Sequence, residues 1–72
     1  MNILLVGSGG REHTLAWKLT QSKLCTHLYI APGNAGTALC GTNLLISTTD
    51  FDQIAAACSK YNIEMLIVGP ED

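Results

Sequence analysis

The sequence feature that most constrains the fold is a short aliphatic run followed at once by a glycine-rich turn. Residues 2–6 are almost entirely aliphatic, and Gly7-Ser-Gly-Gly-Arg-Glu-His13 follows them directly. A run that is apolar on both faces is typical of a central parallel strand covered by helices on both sides. From Arg11 to Ser22 the apolar residues recur at helical spacing. The chain is therefore predicted to begin with a strand, a tight turn and a helix, whose apolar face carries Leu15 and Leu19 with either Ala16 or Trp17.

The remaining sequence continues to alternate between strand-like and helix-like patterns. Strands are predicted over residues 26–31 and 63–68, with a short additional strand over residues 44–47. Asp50 is predicted to be the N-cap of a second helix that ends near Asn62. The apolar face of this helix is predicted to consist of Ile54, Ala57, Cys58 and Tyr61.

The resulting order, β-α-β-β-α-β, predicts the α/β fold class with an open, parallel, Rossmann-like sheet. It amounts to about half of a doubly wound nucleotide-binding fold. The last predicted strand is followed within a few residues by Asp72, where a further helix is expected. Residues 1–72 are therefore expected to form an incomplete N-terminal, Rossmann-like substrate-binding domain, with the other domains of the protein absent from this chain.

Charge and cysteine content exclude several classes of partner. The net charge is −2 with four cationic residues, which gives no electrostatic footprint for nucleic acid or an anionic membrane. No apolar run approaches the roughly 20 residues that a membrane helix requires. The three cysteines have no C-x-x-C spacing, so reduced thiols are expected rather than disulfides or a zinc site. A cytoplasmic location is expected.

The glycine-rich turn predicts a phosphate-binding site. Glycines allow the backbone to approach a ligand closely, and the free N–H groups of the following helix face an anion. The turn lacks the G-K-[ST] of a Walker loop, and Glu12 occupies the third glycine position of the dinucleotide fingerprint. No carboxylate follows the second predicted strand to bind a ribose diol. A tight turn without a ligand is the alternative interpretation.

Three polar residues open the first helix. The cation of Arg11 opposes the helix dipole, a cost that a bound phosphate would offset. Pairing with Glu12 is the alternative for this arginine, and Glu12 itself is equally explained by compensation of the dipole. His13 is a candidate to bond a phosphate or ribose oxygen, or else a polar surface residue.

Three motifs together resemble the start of the phosphoribosylamine–glycine ligase family. They are G-S-G-G-R-E-H-T-L-A-W-K at residues 7–18, A-P-G-N-A-G-T at residues 31–37 and V-G-P-E at residues 68–71. The resemblance covers essentially the whole chain and implies a pre-ATP-grasp domain. It implies a reaction that joins glycine to 5-phosphoribosylamine as ATP is cleaved to ADP and phosphate. ATP and Mg²⁺ (or Mn²⁺) are then expected to bind in ATP-grasp portions outside this segment, together with the catalytic groups.

The resemblance also implies that this segment binds phosphoribosylamine. The amides of Gly9 and Gly10 and the guanidinium of Arg11 are expected to bind the 5′-phosphate, and Glu71 the ribose hydroxyls. Residues 32–37 are expected to form a wall of the same crevice, where Asn34 offers an amide or else forms a self-bonded Asx turn. No metal ligand or catalytic residue is predicted in the segment. The predicted substrate-binding residues are Gly9, Gly10, Arg11, Glu12, His13, Pro32, Gly33, Asn34, Gly36, Thr37, Pro70 and Glu71.

Two alternatives from other functional classes stay open at this point. One is the NAD-type dinucleotide-binding domain of an oxidoreductase, which requires an acidic residue after the second strand. The other is a small, non-catalytic domain that binds a phosphate-sugar. The ligase interpretation expects the remainder of its own polypeptide and two small substrates, glycine and 5-phosphoribosylamine, as the partners of this segment.

Overall fold

The computed structural model describes residues 1–7 and 10–68, without the side chains of residues 10–12. Helices and strands alternate along these residues as the sequence predicts. The elements are β1 (Asn2–Gly7), α1 (Gly10–Thr20), β2 (His27–Pro32), a short 3₁₀ helix (Thr37–Leu39), β3 (Thr42–Asn43), α2 (Phe51–Lys60) and β4 (Met65–Val68).

The four strands form one parallel sheet in the order β3-β2-β1-β4. The chain leaves β1 toward β2 and β3 on one side, then crosses back so that β4 pairs with the other side of β1. This reversal around the first strand is the arrangement of a doubly wound sheet. The prediction of an α/β fold with an open, parallel, Rossmann-like sheet is confirmed.

Strand β1 is buried because each of its faces is covered by a different helix. Ile3 and Leu5 contact the buried Ala16 of α1, whereas Leu4 and Val6 lie with Ile54 and Ala57 of α2. Successive side chains of a strand point to opposite faces, so a strand between two helix layers must be apolar at every position. The continuous aliphatic run at residues 2–6 is therefore explained by this double coverage.

The apolar face of α1 settles one choice that the sequence leaves open. Ala16 has no exposed surface, whereas the Trp17 side chain is 52% exposed. Leu15 and Leu19 are half-buried against the same core as Ala16. The small alanine faces the sheet because a helix can approach the strands closely only where its side chains are short.

The position predicted for the third strand is wrong. Residues 44–47 were expected to pair, but β3 consists of Thr42 and Asn43, which pair with Tyr29 and Ile30. Leu44 and Ile46 face the core beneath α2, and the intervening Leu45 is 98% exposed. The Leu44 N–H still donates to the Ile30 carbonyl at 2.7 Å. The alternation that follows has the period of a strand, but it reflects packing against a helix layer.

Both ends of α2 have recognisable caps. The Asp50 side chain accepts a hydrogen bond from the Gln53 N–H at 3.2 Å, so the predicted N-cap is confirmed. At the other end, Asn62 has φ 53° and the Ile63 N–H donates to the Cys58 carbonyl at 2.8 Å. This is a Schellman motif with asparagine in the left-handed position. The helix therefore ends at Lys60, and β4 begins at Met65 rather than at the predicted residue 63.

Two further findings concern the described part of the chain as a whole. Cys25, Cys40 and Cys58 are all free thiols. None of the helices among residues 1–7 and 10–68 is both long enough and apolar enough to cross a bilayer.

Shortening Ile30 to valine tests the buried layer beneath α1. Ile30 has no exposed surface, so Ile30→Val is expected to reduce the free energy of unfolding by about 0.5–1.5 kcal/mol in urea denaturation. Leu45→Ala is the control, because it removes more atoms from a side chain that is 98% exposed. Its effect is expected to stay within about 0.5 kcal/mol. A larger loss for Leu45→Ala would contradict this assignment of the core.

Removing the Asp50 carboxylate tests the N-cap of α2. Asp50→Ala is expected to cost about 1 kcal/mol of stability, because the Gln53 N–H then loses its side-chain acceptor. Asp50→Asn keeps an acceptor oxygen and is expected to retain most of the stability. Equal losses for both variants in thermal unfolding would show that the cap hydrogen bond contributes nothing.

Candidate functional site

The three motifs of the sequence begin at the same edge of the sheet. In the β1–β2 register Gly7 lies opposite Pro32, and in the β1–β4 register Val6 lies opposite Val68. Gly7, Pro32 and Val68 therefore lie at the carboxyl ends of three neighbouring strands. In open α/β sheets this edge is where ligands bind, above all where the strand order reverses. Here that reversal lies between β1 and β4.

The segment after β2 begins with one more hydrogen bond to the end of β1. The Gly33 N–H donates to the Gly7 carbonyl at 3.2 Å, which joins the second motif to the start of the first. Gly33 has φ +74°, a conformation that L side chains rarely adopt. A Cβ at this position would also collide with the side chains of Thr37 and Asn43. Glycine is thus required at position 33 both by backbone conformation and by space.

Asn34 and Thr37 hold each other through reciprocal hydrogen bonds. The Asn34 N–H donates to Thr37 Oγ1 at 2.7 Å, and the Thr37 N–H donates to Asn34 Oδ1 at 3.0 Å. These bonds tie Asn34 to Thr37, the first residue of the 3₁₀ helix. Thr37 is fully buried. The Asn34 carboxamide oxygen thus bonds to the backbone three positions on, which is one residue further than in the Asx turn considered above, and the substrate contact of Asn34 stays a prediction.

A residue that the sequence analysis did not select completes this network. Asn43, in β3, donates from Nδ2 to the Asn34 carbonyl at 2.8 Å, and its Oδ1 lies 2.9 Å from Thr37 Oγ1. The sequence signal that could have identified Asn43 is its position as a polar residue directly before the apolar residues 44–46. Placing the third strand on that stretch hid the fact that Asn43 lies in a strand beside the predicted site.

The His13 side chain lies against the second motif, at Gly36. A Cβ built on Gly36 would lie 2.7 Å from His13 Nδ1 and 2.9 Å from its Cε1, so the imidazole rests on the glycine backbone. The imidazole is exposed to solvent. The structure thus joins α1 to residues 33–37, and the exposed His13 side chain lies where the two meet.

The remaining predicted residues lie partly or wholly outside the described part of the chain. Gly9, Pro70 and Glu71 are not described, and Arg11 and Glu12 are described only as backbone in the first turn of α1. Gly10 is the first residue of that helix. Pro32 is half-buried at the end of β2. The substrate contacts predicted for all of these residues stay predictions.

The charges needed for an anionic ligand do not come from the second motif. Residues 31–43 contain no charged side chain. A phosphate at this edge would therefore depend on Arg11 and on the amino end of α1 for positive charge. Among the described residues there is no group of three or more His, Cys, Asp or Glu side chains that could hold a metal ion.

A separate groove of about 260 Å³ lies between residues 44–46 and α2. Leu44, Ala57 and Tyr61 contribute to its lining, together with Lys60. It contains none of the predicted site residues. The carboxyl edge of the sheet, where two motifs meet in the described structure, is therefore the better candidate for the functional site.

Comparison with known proteins identifies one family along the whole chain. The family described as Phosphoribosylglycinamide synthetase, N domain, matches residues 1–72. Phosphoribosylamine–glycine ligase of Rhodopirellula baltica is 47% identical over 70 residues, which is 97% of this chain and 16% of that protein. The protein of the same name from Yersinia pestis is 52% identical over 73 residues, covering 99% of this chain and 17% of that protein.

A multifunctional relative matches over the same region. The human trifunctional purine biosynthetic protein adenosine-3 is 51% identical over 71 residues, which is 96% of this chain and 7% of that protein. The chain therefore spans only 7–17% of the length of these curated relatives. The similarity concerns one segment of each of these proteins.

Adding a methyl group at Gly36 tests the contact with His13. Gly36→Ala is expected to displace the imidazole, because the new Cβ would lie 2.7 Å from His13 Nδ1. NMR spectra are expected to show shifted His13 ring resonances with little loss of stability, since the ring is exposed. The control is Ala35→Ser at the exposed neighbouring position, which is expected to leave the His13 resonances unchanged. Unchanged resonances in Gly36→Ala would contradict the contact.

Proposed function

Because the chain belongs to the phosphoribosylglycinamide synthetase N-domain family, we propose that it is the amino-terminal part of a phosphoribosylamine–glycine ligase of purine biosynthesis. The observation that carries this proposal is the family match over all 72 residues. Identities of 47–52% with named ligases over nearly the whole chain support it. The full-length protein would join glycine to 5-phosphoribosylamine with cleavage of ATP to ADP and phosphate.

The role proposed for this segment is to bind 5-phosphoribosylamine. The carboxyl edge of its sheet supports this role, because Gly7 and Pro32, each at the end of its strand, are adjacent there. In this proposal the Gly9 and Gly10 amides and the Arg11 guanidinium bind the 5′-phosphate. A guanidinium can make two parallel hydrogen bonds to a phosphate, and the helix dipole adds to the attraction.

Residues 32–37 are proposed to form one wall of the crevice. Their network of internal hydrogen bonds supports a wall of fixed shape, since Asn34 and Thr37 bond each other at 2.7 and 3.0 Å. His13 is proposed to bond a phosphate or ribose oxygen from its exposed position beside Gly36. In the motif that follows β4, Gly69 and Pro70 are proposed to set the direction of the chain, and Glu71 is proposed to accept hydrogen bonds from ribose hydroxyls.

ATP and Mg²⁺ (or Mn²⁺) are proposed to bind in other portions of the polypeptide, together with glycine and the catalytic groups. ATP supplies the phosphoryl group that activates the glycine carboxylate, and the residues of this segment hold the amine substrate in place. Positioning of this kind converts the attack of the amine into an effectively intramolecular reaction. We also propose a cytoplasmic location, which the three free cysteines support.

The proposal is tested on the full-length polypeptide that carries this segment. ADP release is expected to require both glycine and phosphoribosylamine. Calorimetry is expected to detect binding of ribose 5-phosphate, a stable substitute for the amine, and no binding of NAD. Release of ADP that is independent of phosphoribosylamine would overturn the proposal. Binding of NAD without binding of ribose 5-phosphate would overturn it in favour of the dinucleotide-binding alternative.

Replacement of Arg11 tests the phosphate site within that assay. Arg11→Ala is expected to raise the KM for phosphoribosylamine about 10- to 100-fold, because it removes charge-assisted hydrogen bonds, while the KM for ATP stays unchanged. Lys18→Ala is the matched control, since Lys18 is an exposed cation in the last turn of the same helix. Similar kinetic effects of the two variants would contradict the role of Arg11.

A further inference from the structure

Asn43 lies at the centre of contacts that join β3 to the segment after β2. Its Nδ2 donates to the Asn34 carbonyl at 2.8 Å, and its Oδ1 lies 2.9 Å from the Thr37 hydroxyl. Its side chain also fills the space that a Cβ on Gly33 would need. One side chain thus contacts three positions of the predicted substrate-binding wall.

The roles of the Asn43 carboxamide atoms follow from their partners. The Asn34 carbonyl is an acceptor, so the side of the Asn43 carboxamide that faces it must be the NH₂ group. Oδ1 then faces Thr37, whose hydroxyl lies at 2.9 Å as a donor and also accepts the Asn34 N–H at 2.7 Å. The Thr37 hydroxyl has a second acceptor in the Asn34 carbonyl at 3.0 Å, so Asn34, Thr37 and Asn43 form one shared network.

Burial makes this network costly to break. Thr37 has no exposed surface, so without Asn43 its hydroxyl would depend on the Asn34 backbone for partners, and water could not replace the lost bond. The network also connects to β1, because the Gly33 N–H donates to the Gly7 carbonyl at 3.2 Å. The segment is consequently attached to β1 at one end and to β3 at the other.

We propose that Asn43 is a positioning residue, which sets the shape of the wall at residues 33–37 and thereby the affinity for the phosphate-sugar substrate. The inference rests on the proposed function and deepens it, because Asn43 would touch no substrate atom. It would act through the backbone of Asn34 and through the Thr37 hydroxyl. Replacing Asn43 should therefore change the KM for phosphoribosylamine and leave the KM values for glycine and ATP unchanged.

The test compares Asn43→Ala with Asn2→Ala in the full-length protein. Asn2 is the matched control, because its Nδ2 donates to one backbone carbonyl, that of Tyr61, at 2.9 Å. It lies at the amino end of β1, away from the proposed site. Asn43→Ala is expected to raise the KM for phosphoribosylamine and the Kd for ribose 5-phosphate about tenfold. The values of KM for glycine and ATP are expected to stay within twofold, and Asn2→Ala is expected to change none of these constants.

A second pair of variants tests the Thr37 hydroxyl, which is hydrogen-bonded to Asn43. Thr37→Val removes it with little change of shape and is expected to weaken ribose 5-phosphate binding, whereas Thr37→Ser is expected to retain most of the affinity. In the double variant Asn43→Ala/Thr37→Val the loss is expected to be smaller than the product of the two single losses, because both changes break one network.

The outcomes separate this inference from the proposed function. Binding of ribose 5-phosphate by the unaltered protein, combined with unchanged binding by Asn43→Ala, would overturn the positioning role and leave the proposed function intact. Equal effects of Asn43→Ala and Asn2→Ala on binding would do the same, since they would reflect general stability. Absence of ribose 5-phosphate binding and of phosphoribosylamine-dependent activity in the unaltered protein would overturn both.

Discussion

The burial of β1 between two helix layers is the constraint on which the rest of this structure depends. Leu4 and Leu5 point to opposite faces and are both fully buried, so neither α1 nor α2 could be lost without exposing half of the strand. The same strand pairs with β2 on one side and β4 on the other. Because every other element is placed relative to β1, its carboxyl end is a fixed point for the segments around it.

The candidate site is attached to the carboxyl end of β1 by hydrogen bonds. Residues 33–37 are held at Gly7 by one main-chain hydrogen bond and at Asn43 by side-chain hydrogen bonds. These contacts are uncharged, so they remain effective when a charged ligand or salt is present. Residues 31–43 contain no charged side chain. This segment can therefore provide shape, while in the proposal above the positive charge comes from Arg11, in the first turn of α1.

The sequence allowed the fold class to be predicted because its strongest signals are periodic. The apolar run of β1, the face of α2 and the Asp50 cap each depend on neighbouring residues, and each agrees with the structure. The place of β3 could not be predicted in this way. A strand of two residues has too few positions to show a period, and the alternation of Leu44 and Ile46 reflects contact with a helix.

The candidate site also contains residues that the sequence could predict and one that it could not. Gly33 and Thr37 could be selected because they belong to a motif, whereas Asn43 is separated from that motif by residues 38–42, which have no repeating pattern. Its bonds to Asn34 span nine positions, and only the folded sheet brings the two together. Side-chain networks of this kind are set by tertiary structure, so sequence spacing does not reveal them.

Residues 38–42 lie between two anchored residues, yet the side chains at their start face the solvent. Thr37 and Asn43 are each fixed by hydrogen bonds, while Ala38 and Leu39 between them are exposed, Leu39 at 88%. The backbone here is held as well, because the Cys40 and Gly41 N–H groups both donate to the Thr37 carbonyl. A probe attached at position 39 would therefore extend into solvent from a rigid backbone, within a few residues of a site whose geometry must stay constant.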